Sequence, residues 1–504
     1  MAGGAVRATG GDTGRRRPAF RRAVRGAGVL AAAALLGAAA VAPAAAEPGA
    51  SAVLTVPGLT QRVTYGPGGT QLDAPSWGGG VSEDGRYVLF ASAAADLVPG
   101  DTNGIEDAFV RDTWTGRVQR VSVGDHGKQL TAGLLGMSLS ADGRYVAFSS
   151  DEPGLVADDT DDRSDVFVFD RVTRRTVRAT AGPEGGGFDP AISRDGRYIA
   201  FSSTRKVDLP GGERGRQNIY VLDRGTGVTR LASVTRDGAV PDQPSRSATI
   251  SADGQRVAFV SRDLGLAEDP GDPGDMPQEP EKSVGTGENA KWRADDDPTG
   301  SPHGAGEADA SILKPTLYPM YVYDLRTGRV RPGSQGPDRL LGTPDGRITP
   351  DGRRVAFIGW EIDTRPGAPS GGLLRHRYIA YVHDLETGTT DQVSRTAAGE
   401  DGNGEDTEIV TSGDGRWAYF VSSSDHLVPG DTDGRQDVFR RDLRTGRTQT
   451  LFDLGQAATD EAGTVAGADA HGASVVVSGP DGAFGYPGDT NGDYDVFVRR
   501  VLPW

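Results

Sequence analysis

The run SADGRYVAF (Ser140–Phe148), followed after a loop by DVFVFD (Asp165–Asp170), decides the fold. Asp142-Gly143 is turn chemistry: the Asp side chain bonds local backbone, and Gly supplies a positive φ. Arg144 to Ser150 and Asp165 to Asp170 then read as strands of nearly continuous apolar character. Leu134 to Ser140 before them and Thr173 to Arg178 after them complete a unit of four antiparallel strands. Middle strands that are apolar on both faces belong to a sheet packed between two similar sheets.

The same unit recurs along the chain. The turn returns as Asp84-Gly85, Asp195-Gly196, Asp253-Gly254, Asp351-Gly352 and Asp414-Gly415, with a decayed copy at 468–479 in which His471 stands in the Asp position. The third strand returns as AFVRD, IYVLD, MYVYD, AYVHD, VFRRD and VFVRR. In five copies a Thr three residues after the closing Asp and a Gly four after it mark the next turn, as in Asp324, Thr327 and Gly328. In the copy at Asp170, Arg174 takes the Gly position. Repeats of roughly 50 to 60 residues imply a ring or array of similar units. A closed ring buries both faces of every sheet and leaves only short edges. An all-β, seven-bladed propeller of four-stranded blades is therefore expected, with a six-bladed ring as the alternative. The last copy stops after its third strand, whereas Gln61-Arg62-Val63-Thr64-Tyr65 matches the outer strand Gln119-Arg120-Val121-Ser122-Val123 yet has no blade of its own. The N-terminal strand should complete the last blade as a clasp.

These residues resemble the WD40-like repeats of TolB-type β-propeller proteins, whose blades carry S-P-D-G-[KR]-x-I-A-F followed by I-Y-V-x-D. The likeness spans essentially the whole chain after its N-terminal segment. It implies the propeller fold and leaves activity open, since such propellers serve as partner-binding platforms, as gates beside hydrolase domains and occasionally as polysaccharide lyases. Ala or Arg stands where the usual Pro is found, except at Pro350.

Residues 1–46 read as a secretory signal peptide. Seven arginines precede an apolar Ala/Leu run from Ala27 to about Val41, and Ala44-Ala45-Ala46 offers a cleavage site. The expected organisation is this leader, a short linker over 47–57, and a propeller over 58–504 with an aperiodic, disordered insertion at about 264–316. Cleavage after Ala46 would give a secreted, extracytoplasmic protein without a stable membrane span. The remaining chain has 47 basic and 69 acidic side chains, net −22. So acidic a surface repels phosphate backbones, which argues against nucleic acid as a partner. The absence of cysteine excludes disulfides and thiolate chemistry.

The sharpest local motif lies between the second and third strands of four repeats. It reads Asp101-Thr-Asn103 with Asp107, Asp159-Thr-Asp161 with Asp165, Asp431-Thr-Asp433 with Asp437, and Asp489-Thr-Asn491 with Asp495. Oxygen side chains at positions one, three and seven around a turn resemble the start of a calcium loop, because Ca²⁺ takes six to eight oxygens. The same side chains also suit Asx-turns that cap a hairpin. Both readings stand: twelve structural Ca²⁺ ligands, or turn residues. Asp112, at EF-hand spacing from Asp101, is a turn residue, since its equivalents occur in repeats lacking the loop. No His pair, nucleophile elbow or phosphate-binding loop is present in the sequence. The expected function is a non-catalytic scaffold, monomeric, that binds a protein or cell-envelope glycan at the channel mouth or blade loops. The alternative is an extracellular carbohydrate-active lyase or hydrolase working at the same mouth.

Overall fold

The computed structural model describes residues 58–180, 186–205, 216–267, 318–335, 341, 343, 346–362, 376–452, 463–480, 484, 486 and 491–501, with the side chains of 361, 362 and 376 left out. The leader over 1–46 and the linker over 47–57 lie outside these residues. So does all of the expected insertion except its first four positions. There Leu264–Leu266 forms one 3-10 turn, capped by the Asp263 carboxylate on the Gly265 N–H, and Leu266 is buried.

Among the described residues, twenty-eight strands form seven sheets of four. Blade one runs from Ser76 to Arg120, blade two from Leu134 to Arg178, blade three from Phe188 to Leu231 and blade four from Ser245 to Pro332. Blade five runs from Gly346 to Gln392, blade six from Asp406 to Thr450, and blade seven from Thr464 to Val501. Gly58–Arg62 pairs antiparallel with Asp495–Val501 and supplies the fourth strand of blade seven. The seven-bladed reading and the N-terminal clasp both hold, and the six-bladed alternative falls.

Local chemistry explains the uniformity. In each S-x-D-G-R turn the Ser hydroxyl donates to the Asp carboxylate and accepts a later N–H, as in Ser140–Asp142 at 2.6 Å and Tyr145 N–Ser140 at 2.8 Å. The Arg of the turn then pairs with the Asp closing the third strand: Arg86–Asp112, Arg144–Asp170, Arg197–Asp223 and Arg416–Asp442, at 2.6 to 2.9 Å. Asp112 also accepts the Trp114 and Thr115 N–H groups, which confirms it as a turn residue. Arg174 adopts φ +57, the left-handed conformation its Gly counterparts use.

Between the second and third strands, six blades carry an aromatic pair, for example Phe148–Phe167 and Phe420–Phe439, both with ring centroids 5.5 Å apart. Adjacent blades interlock through the turns. Gly143 of blade two faces the Tyr87 ring of blade one, and Gly196 of blade three faces Tyr145 of blade two. Backbone bonds then tie turn to turn, including Glu83 N to Ala141 O at 2.8 Å and, across the closure, Ala470 N to Glu83 O at 3.0 Å.

This topology sorts the connections onto two faces. One face holds the tight turns between first and second, and third and fourth, strands. The other holds the connections between second and third strands and those between blades. Those second-to-third connections run 93–106, 151–164, 204–217, 262–319, 363–375, 423–436 and 480–494. Blade five also extends its middle strands to nine residues each, Arg354–Ile362 and His376–Asp384, against six in blade two. One face is a repeated turn lattice, and the other is where the blades differ.

Candidate functional site

Each D-T-[DN] loop sits on the variable face, directly before the third strand of its blade. Position seven is the first residue of that strand and is buried: Asp107, Asp165 and Asp495 are at most 1 % exposed. Position three makes the turn. Asp161 accepts from Arg163 N at 3.2 Å, Asp433 from Arg435 N at 3.0 Å, and Asn491 from Asp493 N at 3.1 Å. The Asn residues also brace a neighbouring connection, Asn103 donating to Leu130 O at 3.1 Å and Asn491 to Leu72 O at 2.9 Å. The Asx-turn chemistry is therefore present at position three in blades two, six and seven. Asp489 lies outside the described residues.

Positions one and seven are more than turn residues. In blade one, Arg120 on the outermost strand reaches Asp101 at 2.9 Å and Asp107 at 3.5 Å. In blade two, Arg178 meets Asp165 at 2.6 Å, Asp161 at 3.4 Å and Asp159 at 3.9 Å. In blade seven, Arg62 of the clasp lies 3.6 Å from Asp495. These arginines occupy one register position, opposite Phe109, Phe167 and Phe497. Two residues further on, a hydroxyl bridges the position-seven carboxylate and the next N–H: Ser122 to Asp107, Thr180 to Asp165, and Thr64 to Asp495. Burial pushes the Asp165 carboxyl up, while Thr180 and Arg178 pull it back. Burial likewise pulls Arg178 down, but the surrounding carboxylates hold it above its ordinary value.

Blade six keeps the acids and loses the counter-charge. Opposite Phe439 stands Thr450, and two residues on stands Phe452. Phe452 turns instead into the core, its ring centroid 4.5 Å from that of Phe484. Carboxylate oxygens of Asp431, Asp433 and Asp437 lie within 4.8 Å of one another. Asp431 is 3 % exposed, and both its oxygens are buried without a hydrogen-bond partner. Burial, then the charges of Asp437, Asp433 and Asp425, push its pKa up to about 7; burial and Asp433 push Asp437 to about 6.

The arginine register also leaves a signal in the sequence. Arg120 and Arg178 each stand thirteen residues after the position-seven Asp, and Thr450 stands there in blade six.

The channel wall is chemically sparse among the described residues. Asp189, on the innermost strand of blade three at φ +51, has its pKa raised to about 6 by burial. Arg347 of blade five donates to Ala466 O of blade seven at 3.0 Å, and Glu408 accepts Val465 N at 2.6 Å. The histidines are dispersed. His383 is buried against Thr390 at 2.8 Å, and its pKa is lowered by burial and Arg331. His471 lies 3.5 Å from Asp414, and His426 lies 3.5 Å from Asp425. His126 sits in an exposed turn at φ +57, and His303 lies outside the described residues.

At the loop-face rim, Trp77 of blade one and Tyr494 of blade seven place their rings 4.7 Å apart. In blade five, Trp360 stands directly opposite Tyr378 on the extended hairpin, and Tyr378 is 38 % exposed.

No protein-family model matches this chain, and no curated protein sequence does. Among solved structures, TolB from Acinetobacter baumannii is 15 % identical, the match taking in 68 % of this chain and 61 % of that one at a TM-score of 0.34. An oligogalacturonate lyase from Vibrio parahaemolyticus is 11 % identical over 90 % of this chain and 98 % of its own, at a TM-score of 0.49. The likeness is one of β-propeller architecture.

Proposed function

We propose that this chain is an exported, non-catalytic binding platform that engages a protein or cell-envelope glycan on the face carrying the second-to-third-strand connections. The observation that carries this reading is the division between faces. The turn face repeats one hydrogen-bonded device, whereas the loop face holds every long connection and the extended blade-five hairpin. Binding residues concentrate on loops held by a rigid scaffold, and a propeller supplies such a scaffold. Trp77–Tyr494 and Trp360 opposite Tyr378 set aromatic surface on this face. Such surface suits sugar rings or apolar side chains. The N-terminal leader read from the sequence supports action outside the cytoplasm.

The test is co-sedimentation of the chain with isolated cell-envelope polysaccharide, with new reducing and unsaturated ends assayed in the same tube. Saturable binding without product, weakened at least about tenfold by Trp360→Ala with Tyr378→Ala but not by Arg86→Ala on the turn face, supports the platform reading. Product that accumulates with time would instead establish the carbohydrate-active enzyme. Absence of polysaccharide binding would remove the glycan half of the proposal.

A further inference from the structure

We propose that Asp431, Asp433 and Asp437 of blade six form the one calcium site among the D-T-[DN] loops, and that Arg62, Arg120 and Arg178 stand in for the cation in blades seven, one and two. Four observations converge. The three carboxylates already lie within 4.8 Å of one another, as those of Asp159, Asp161 and Asp165 do around Arg178 in blade two. Asp431 is buried with both oxygens unpartnered, so two acceptors point into the cluster with nothing to accept from. Every other described loop of this type has a guanidinium within 4 Å of its position-seven carboxylate. In blade six the same register position holds Thr450, and the hydroxyl that elsewhere donates to position seven is replaced by Phe452.

The charge balance follows the same order. With all acids ionised, the named groups sum to −1 in blade one (Asp101, Asp107, Arg120) and −2 in blade two (Asp159, Asp161, Asp165, Arg178). In blade six they sum to −3. An isolated buried carboxylate is expensive, and removing one partner of a buried pair is strongly destabilising. The fold resolves this with arginine three times. In blade six a proton or a cation must do it. Donors that are all carboxylate oxygen select a hard cation. A loop able to add backbone carbonyls and water suits the larger, irregular shell of Ca²⁺ better than the strict octahedron of Mg²⁺.

The experiment is equilibrium dialysis of the chelator-stripped full chain against Ca²⁺ and Mg²⁺ at neutral pH, with bound metal counted by elemental analysis and folding checked by circular dichroism. Wild type should bind one Ca²⁺ per chain, in preference to Mg²⁺. Thr450→Arg should weaken Ca²⁺ binding at least about 100-fold, and should raise the melting temperature of the metal-free protein because it supplies the missing counter-charge. Asp431→Asn should lose binding, and Arg178→Thr should create a second Ca²⁺ site in blade two. The circular dichroism spectrum of Thr450→Arg, and its higher melting temperature without metal, separate loss of binding from unfolding. No bound Ca²⁺ in wild type, three or four ions per chain, equal binding of Mg²⁺, or unchanged binding in Thr450→Arg would each overturn the assignment.

Discussion

One hydroxyl reinforces the closure of the ring beyond the ladder between Gly58–Arg62 and Asp495–Val501. Thr64 donates to Asp495 and accepts the Val496 N–H, joining residues 431 and 432 positions apart in the chain. Thr64→Val keeps the shape and removes both bonds. Asp495 is 1 % exposed, so its carboxylate loses a buried donor, and the Val496 amide is left without its acceptor. Leaving a buried donor or acceptor unsatisfied costs roughly 1–3 kcal/mol, more when the group is charged. Two such groups, partly relieved by water at the clasp, give about 2–4 kcal/mol. A chain of this size need not unfold in one step, so hydrogen exchange is the better assay. Clasp opening should raise exchange at Val496 to Val498 by roughly 30- to 1000-fold, at about 1.4 kcal/mol per decade. Thr180→Val removes the same chemistry within blade two, where donor and acceptor are 15 residues apart. It should accelerate exchange in blade two and leave the clasp protected. Exchange at Val496–Val498 within threefold of wild type in Thr64→Val would refute the view that this hydroxyl holds the ring shut.

Other expectations follow from single contacts. Gly143→Ala would place a Cβ 2.3 Å from the Tyr87 ring at φ +68, so it should cost at least about 1–2 kcal/mol; a denaturation midpoint equal to wild type would contradict the interlock between blades. Arg174→Gly relieves a left-handed non-glycine residue and should stabilise by up to about 1 kcal/mol, read by the same midpoint. Phe420→Ala removes a fully buried ring stacked on Phe439 and should cost about 3–5 kcal/mol by urea titration. The Arg144 hydrogen bond, helped by the Val172 and Thr173 N–H groups, holds the Asp170 pKa down to about 2, and Arg197 does the same for Asp223. A folded-state pKa below the unfolded value of about 3.9 means that this stability is complete above that value and is lost as pH falls toward about 2. The denaturation midpoint should drop between about pH 4 and pH 2, and Asp170→Asn should flatten part of that drop. An acid-independent midpoint would count against these bridges.

The fold was legible because its determinants are local and repeated. The pairs Ser140–Asp142 and Arg144–Asp170 close within 26 residues, so each blade announces itself, and the unmatched Gln61–Tyr65 strand announced the clasp. The innermost strands Gly346–Ile348 and Thr464–Ala468 are less legible, because neither carries a distinctive apolar pattern. The loop motif was legible as oxygen chemistry but not as pairing. Whether Asp107 faces a cation or a guanidinium depends on Arg120, which lies across a strand pair and reads in sequence as part of a polar edge strand.

That pairing explains why equal motifs need not have equal chemistry. A repeat that carries its arginine has a counter-charge of its own, and its acids become structural. Losing the arginine alone would leave an uncompensated buried charge, so such a change persists only where something else neutralises the acids. Blade six has lost the arginine and the hydroxyl together, and Phe452 has been committed to the core against Phe484. The hydroxyl cannot return at position 452 without opening a cavity beside Phe484. Position 450 is the register position that holds Arg120 and Arg178 in blades one and two, which is why Thr450→Arg separates a site kept for its cation from a site that has merely decayed.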